Sequence, residues 1–400
     1  MKQLISSFLF IPLGLSLQAQ EISDTKFGNG MINFIAKDSS FSVKFAPRVQ
    51  SRYQSEWSYN GEDYDPVDIN FSVRRARLKF GGFAFSPKLK YKIELGLSNR
   101  DISGANVYNR NTPRYILDAV VMWNFYEKFE LWAGQTKLPG NIERVVSSAN
   151  LQLIDRSLLN SKFNIDRDMG IQLRHKLRLG GNWIIKEKFS ISQGEGRNIT
   201  EGNIGGLQYT SRLELLPFGE FSSKGDYSQG DLKREKSIKA MFGFTYDINE
   251  NAVKSRSNMG SYLIQSSGGL FETDITTIFL DGVIKYNGFA LTGEYANRDA
   301  DQIEALEEDG RTKTGAVVGA GSASNIQGSY LFKNNFEITA RYTNINFKEI
   351  TRLSDLKQIT FGVSKYVVGH SLKIQADISL LNASGIKDNV LFRTGFDLHF

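Results

Sequence analysis

Over most of its length this chain alternates apolar and polar residues with a period of two. Between Lys88 and Ser98, Leu89, Tyr91, Ile93, Leu95 and Leu97 fall on one face, while Lys88, Lys90, Lys92, Glu94, Gly96 and Ser98 fall on the other. Phe336, Ile338, Ala340 and Tyr342 oppose Glu337, Thr339 and Arg341, and Leu372, Ile374, Ala376, Ile378 and Leu380 oppose Lys373, Gln375, Asp377 and Ser379. A period of two sends successive side chains to opposite sides of a strand. The chain is therefore committed to sheet with two chemically different faces. In a soluble sandwich the apolar face points into a core; in a membrane barrel it points out at lipid and the polar face lines a wet interior.

Three features select the second arrangement. The alternating runs are about 9 to 12 residues long, enough to cross a bilayer at the usual tilt, where globular strands average about 5 to 6. Aromatic residues, among them Tyr91, Trp123, Phe129, Trp132, Trp183, Tyr246 and Tyr295, stand near strand ends, as interfacial girdles require. Candidate strands fall near 41–50, 71–81, 88–98, 115–124, 128–135, 168–178, 183–192, 206–215, 237–247, 274–285, 288–297, 324–332, 335–343, 357–366, 370–380 and 390–400. Connections after the even members are mostly tight, such as Tyr126-Glu127, Tyr286-Asn287 and Val368-Gly369, and those after the odd members are long. The exception is 216–236. An even strand number with short turns at one end and long loops at the other predicts an all-β fold, a transmembrane antiparallel barrel of about 16 strands with periplasmic turns and extracellular loops.

The remaining composition fits. Hydrophobic residues make up 40% and charged residues 23%, and no run of 18 apolar residues occurs beyond the N-terminus, which excludes a helical polytopic membrane protein. The absence of cysteine excludes disulfides and thiolate metal sites. Residues 1–19, with Lys2, an apolar stretch from Leu4 to Leu17 and a small residue at Ala19, predict a secretory signal peptide. We expect a short periplasmic lead over 20–40, the barrel over 41–400, and no nucleic-acid partner. The last run places Val390, Phe392, Phe396, Leu398 and Phe400 on one face, resembling the assembly signal that outer-membrane proteins present to their assembly machinery.

Catalysis finds little support. His175, His370 and His399 are far apart in sequence and share no motif, and no nucleophile elbow, zinc-protease or phosphate-loop pattern occurs. We expect no enzyme activity, cofactor or metal. The basic residues say more, because they favour the polar register: Lys44 and Arg48; Arg75, Arg77 and Lys79; Lys88, Lys90 and Lys92; Arg174, Lys176 and Arg178. On neighbouring strands about 4.8 Å apart they would build a positive wall facing water. Sixteen strands enclose an aqueous lumen that side chains alone cannot fill. The longest connection, 136–167, carries Lys137, Arg144, Arg156, Lys162 and Arg167 among Ile142, Val145, Val146, Leu151, Leu153, Leu158 and Leu159. Folding it into the barrel would bury its apolar residues and present cations to passing anions.

At these residues the chain resembles the phosphate-selective porin O and P family. The resemblance is carried by Phe71-Ser72-Val73-Arg74-Arg75-Ala76-Arg77-Leu78-Lys79-Phe80-Gly81-Gly82, by Trp132-Ala133-Gly134-Gln135-Thr136-Lys137-Leu138-Pro139-Gly140, by Arg167-Asp168-Met169-Gly170 and by the terminal strand. It implies a sixteen-stranded, usually trimeric, anion-conducting porin with arginine and lysine in the lumen and an inward loop at the constriction. The resulting expectation is an outer-membrane porin for passive diffusion of small hydrophilic solutes, favouring anions such as phosphate and working as a homotrimer among membrane lipids. Its anion pathway would use Arg75, Arg77, Lys79, Lys88, Lys90, Lys92, Lys137, Arg144, Arg156, Lys162, Arg174 and Lys176. The alternatives are an adhesin or receptor barrel with a closed lumen and a barrel hydrolase.

Overall fold

The computed structural model describes residues 26–104, 106–109, 111–200, 204–383 and 389–400. Sixteen strands form its wall: β1 (Arg48–Trp57), β2 (Asp68–Ala84), β3 (Ser86–Gly96), β4 (Ile116–Tyr126), β5 (Phe129–Lys137), β6 (Arg167–Arg178), β7 (Ile184–Ser192), β8 (Gln208–Leu216), β9 (Lys239–Ala252), β10 (Thr273–Tyr286), β11 (Phe289–Ala300), β12 (Gly321–Leu331), β13 (Phe336–Phe347), β14 (Leu356–Val368), β15 (Leu372–Ala383) and β16 (Asn389–His399). Each is antiparallel to the next, and β16 pairs back onto β1, from Val390 opposite Trp57 to His399 opposite Arg48. Closure satisfies the backbone of every wall strand and leaves no edge, the condition for crossing hydrocarbon with strands.

The polarity is inverted relative to a water-soluble sheet. Ile338, Phe361, Val363, Ile374 and Ile378 stand exposed on the outer surface, while Glu337, Thr339, Arg341, Thr360, Ser364, Lys373 and Ser379 are buried inside. Ile93 is exposed and Leu89 and Leu95 are half-buried, so none of the three lies in a sealed core.

Two features of the first strands differ from the expectation. The first wall strand starts at Arg48 rather than near 41, because Ser42–Phe45 belongs to a separate hairpin with Ile32–Ile35. That hairpin leans on the tight-turn end of β2, with Lys44 opposite Gly81 and Phe45 opposite Phe80. Strand alternation continues through it, which is why the sequence reads as one run. Part of the segment expected as a lead over 20–40 is thus strand, Ile32–Ile35; the signal peptide expected over 1–19 lies outside the described residues.

The second difference is a bulge. Gln50 pairs with Arg75 and Ser51 with Val73, leaving Arg74 as an extra residue on β2. A bulge lets two consecutive side chains serve one face, and here Arg74 and Arg75 both reach the interior. Without it one of the two would face lipid.

Candidate functional site

Loop 138–166, between β5 and β6, folds into the lumen. Gly134, just before it, has φ +126°, and a Cβ there would collide with the Ala119 carbonyl of β4, so the close approach of β5 to β4 requires glycine. Two short turns shape the loop itself. Ser147 accepts from the Ala149 N–H, and Ser157 caps the helix Leu158–Phe163 by accepting from the Asn160 N–H at 3.1 Å.

Apolar packing fixes the loop against the wall. Leu138, Leu159, Phe163 and Ile165 pack on Phe279, Ala296, Ala323 and Ile345, and Ile142, Val146 and Leu151 on Met241, Val283, Ile184 and Leu216. Each fully buried side chain of this size contributes about 1.5–3 kcal/mol. Polar ties follow the same direction. Lys373 Nζ donates to the Ala149 and Leu151 carbonyls at 2.9 and 2.5 Å, Arg298 to the Lys162 and Phe163 carbonyls at 2.9 and 2.5 Å, and the Ile154 N–H donates to Asp377 at 3.1 Å.

Above the loop, on the side of the long connections, lies a cavity of about 1260 Å³. Twelve arginines and two lysines line it against four carboxylates, Asp101, Asp155, Asp166 and Glu195. Asp155, at the loop's tip, is shared by four guanidinium groups: Arg74 at 2.5 Å, Arg52 at 2.8 Å, Arg75 at 3.3 Å and Arg393 at 3.6 Å. Burial opposes its ionisation, yet Arg74, Arg75 and Arg393 hold its carboxyl well below the usual carboxylate range. Burial, reinforced by the Asp168 carboxylate, pushes Glu195 the other way, up to about 7.

From the cavity's floor downward, the β2–β6 wall carries a ladder of mixed sign. Arg77 binds Glu94 at 2.9 Å and Asp101 at 3.1 Å; Lys92 binds Asp118 at 2.9 Å and Glu94 at 3.2 Å; Arg167 binds Asp118 at 3.0 Å. From the facing loop, Arg144 forms a two-pronged pair with Asp166. Arg156 donates to the Glu143 and Val146 carbonyls at 2.7 and 2.8 Å. Towards the tight-turn end stand Lys79, then Lys88 and Lys90, both exposed; among the described residues none of the three has a carboxylate within ion-pair distance. Arg174 lies over the Trp132 ring at 3.6 Å and donates to Gln172.

The predicted residues therefore divide. Arg75, Arg77, Arg144, Arg156 and Lys162 gather in the upper cavity, and Lys79, Lys88, Lys90, Lys92 and Arg174 line the water-accessible wall below it. Lys137 sits elsewhere: its Nζ donates to the carbonyls of Arg144, Val145 and Val146 at 2.8, 3.2 and 3.2 Å, bracing the loop's first turn. Lys176 reaches the rim, where it and Arg178 pair with Glu220. His175 stands away from the other two and stacks on Phe129; His370 bonds the Gln229 carbonyl, and His399 approaches Ser371, the residue next to His370. Sequence reasoning missed Arg52, Arg74 and Arg393, and Arg74 could be found only by anticipating the bulge.

An uncharacterized protein of Aquifex aeolicus is 26% identical over 358 residues, 83% of this chain and 80% of that one. The anion-selective porin of Comamonas acidovorans shares the fold with a TM-score of 0.54 at 14% identity, covering 90% of this chain and all of that structure. The trimer form of OmpT from Vibrio cholerae does so with a TM-score of 0.50 at 12% identity, covering 90% and 100%. The profile of the phosphate-selective porin O and P family matches residues 48–379; the chain belongs to that family and is a channel protein of the bacterial outer membrane.

Proposed function

We propose that this barrel conducts small hydrophilic anions, phosphate among them, by passive diffusion, as a homotrimer and without catalysing a reaction. The carrying observation is the positive charge lining the interior among the described residues. Fourteen basic side chains surround the upper cavity, and Lys79, Lys90 and Lys92 continue below it. In a narrow lumen with low-dielectric walls such charges act more strongly than on an open surface, because the field is focused and little water screens it. Ordered this way, Arg75, Arg77, Arg144, Arg156 and Lys162 collect anions and Lys79, Lys88, Lys90, Lys92, Arg174 and Lys176 pass them on.

The description of the family and the anion-selective character of the Comamonas porin support the reading, and the trimeric OmpT supports three chains per particle. Phe400 and the outward face of β16 are the surface we assign to the assembly machinery. The decisive experiment is the reversal potential of single channels in a potassium chloride gradient, repeated with phosphate. We expect the sign of an anion-preferring pore; a cation-preferring sign refutes the selectivity, and negligible conductance favours a closed-lumen receptor.

A further inference from the structure

The connection 217–238, between β8 and β9, lies at the end where the other described connections are tight, yet it is long. It turns into the barrel. Phe221 joins the apolar cluster of Met241, Val283, Ile142 and Val146. Lys285 Nζ donates to the carbonyls of Gly225, Ser228 and Gly230 at 2.7, 2.6 and 2.5 Å. The Gln229 N–H then donates to the Asn150 carbonyl at 3.0 Å, and Gln229 Oε1 accepts from the Gln152 N–H at 2.9 Å. Two segments entering from opposite ends of the barrel thus meet inside it.

Their combined effect shows in the burial of the inner wall. On β9–β15, Thr245, Thr277, Glu294, Asn325, Thr360 and Ser379 all point inward and are between 0 and 5% exposed. The opposite wall is more open in its lower half: Lys90 on β3 is exposed, Lys92 keeps 37% of its side chain in solvent, and Met122 on β4, Trp132 on β5 and Arg174 on β6 are partly open, whereas higher up Glu94 and Asp118 are closed over by their ion pairs. The far wall's cations are also spent on structure, since Lys285, Lys373, Arg298 and Arg341 each donate to a carbonyl of an inward segment.

We infer that below the upper cavity the water path occupies one side of the barrel only, a crescent along β2–β6, and that below that cavity selectivity is set by cations on that side alone. Segment 217–238 is the element that closes the other side at the periplasmic end. This refinement rests on the channel reading above, and it separates specificity-determining positions from polar-register positions that never meet a solute.

The chain contains no cysteine, so single thiols can be placed without background. Lys90→Cys and Met122→Cys test the crescent; Thr277→Cys, Thr360→Cys and Ser379→Cys test the far wall. The folded barrel is treated with the water-soluble anionic reagent methanethiosulfonate ethylsulfonate, and modification is read by intact mass and by current. The crescent thiols should be modified at least a hundredfold faster than the far-wall thiols, with loss of current. The far-wall thiols should react fully only after denaturation, which also shows that they are chemically competent. Far-wall modification within tenfold of the crescent rate, or unreactive crescent thiols, overturns the inference. Because mass reports modification without current, the expected labelling in a barrel that conducts nothing would sink the channel reading and leave the one-sided water path standing.

Discussion

Replacing Asp155 with asparagine tests whether the upper cavity holds anions, because that carboxylate already stands where an anion would sit. Its oxygens meet guanidinium groups of Arg74, Arg52, Arg75 and Arg393 at 2.5 to 3.6 Å in a cavity open to water. Asparagine keeps the shape and removes the charge. An anion arriving beside the natural residue meets a like charge; beside the variant it meets four unsatisfied cations. Two unit charges about 5 Å apart at an effective dielectric near 20 interact by about 3 kcal/mol, roughly two orders of magnitude in a binding constant. Salt trims this only partly, since the Debye length of about 8 Å at physiological ionic strength exceeds the separation.

The assay is the chloride current of single channels titrated with phosphate. For Asp155→Asn the midpoint of block should fall between tenfold and a hundredfold, and the residual current should drop because bound anions leave more slowly. A midpoint that stays in place or rises would refute the idea that Asp155 substitutes for a solute anion.

Lys137→Met should leave the Arg144 and Val145 carbonyls without their donor, while the Val146 carbonyl keeps Arg156, a loss of about 1–3 kcal/mol for each group that finds no replacement; recordings should become noisy with little change in reversal potential, whereas a quiet current with reduced anion preference would return Lys137 to the pathway. Glu195, raised to about 7 by burial and Asp168, carries its charge above that pH and loses it below. Acidification from pH 8 to 6 should therefore remove Glu195's negative charge while the neighbouring Lys254, lowered to about 8 by burial, gains its positive one, and both increase anion preference; Glu195→Gln should abolish the part of the response centred near pH 7, and an unchanged pH response in that variant would count against the assignment. Gly134→Val forces a side chain against the Ala119 carbonyl at a positive φ, with a cost above about 1 kcal/mol; the yield of heat-modifiable folded barrel should fall, and an undiminished yield would mean that β4 and β5 can separate there.

How far the fold was legible follows from what strand periodicity can encode. Fifteen of the sixteen wall strands lie where alternation puts them, because each must present one face to lipid and the other to the interior, and a one-residue slip would reverse every side chain. Alternation cannot tell a wall strand from an adjacent hairpin of the same period, so Ser42–Phe45 merged with Arg48 onward. Nor can it foresee an inserted residue: Arg74 reads as lipid-facing until pairing with β1 leaves it extra. Lys137 shows a third limit, since a cation in the polar register of a barrel can serve carbonyls as readily as solutes, and its Nζ bonds three of them.

The far wall holds the signal that sequence reasoning passed over. Met241, Phe279, Val283 and Ile345 stand in the inward register, where a water-filled porin would place polar residues. Water cannot satisfy such a surface and burying it is favourable, so a cluster of apolar residues in the polar register, unlike the isolated Met122 and Trp132, means that protein, not solvent, lies against it. Those four positions span β9, β10 and β13, the region where the apolar residues of loop 138–166 and Phe221 settle. The same logic explains why the 216–236 connection departs from the tight-turn pattern: a second insert is needed to cover the lower part of that patch, around Met241 and Val283. Inward apolar residues and the irregular connection are therefore one feature seen twice, and in a barrel of this kind their coincidence on one set of strands marks the side that carries no solute.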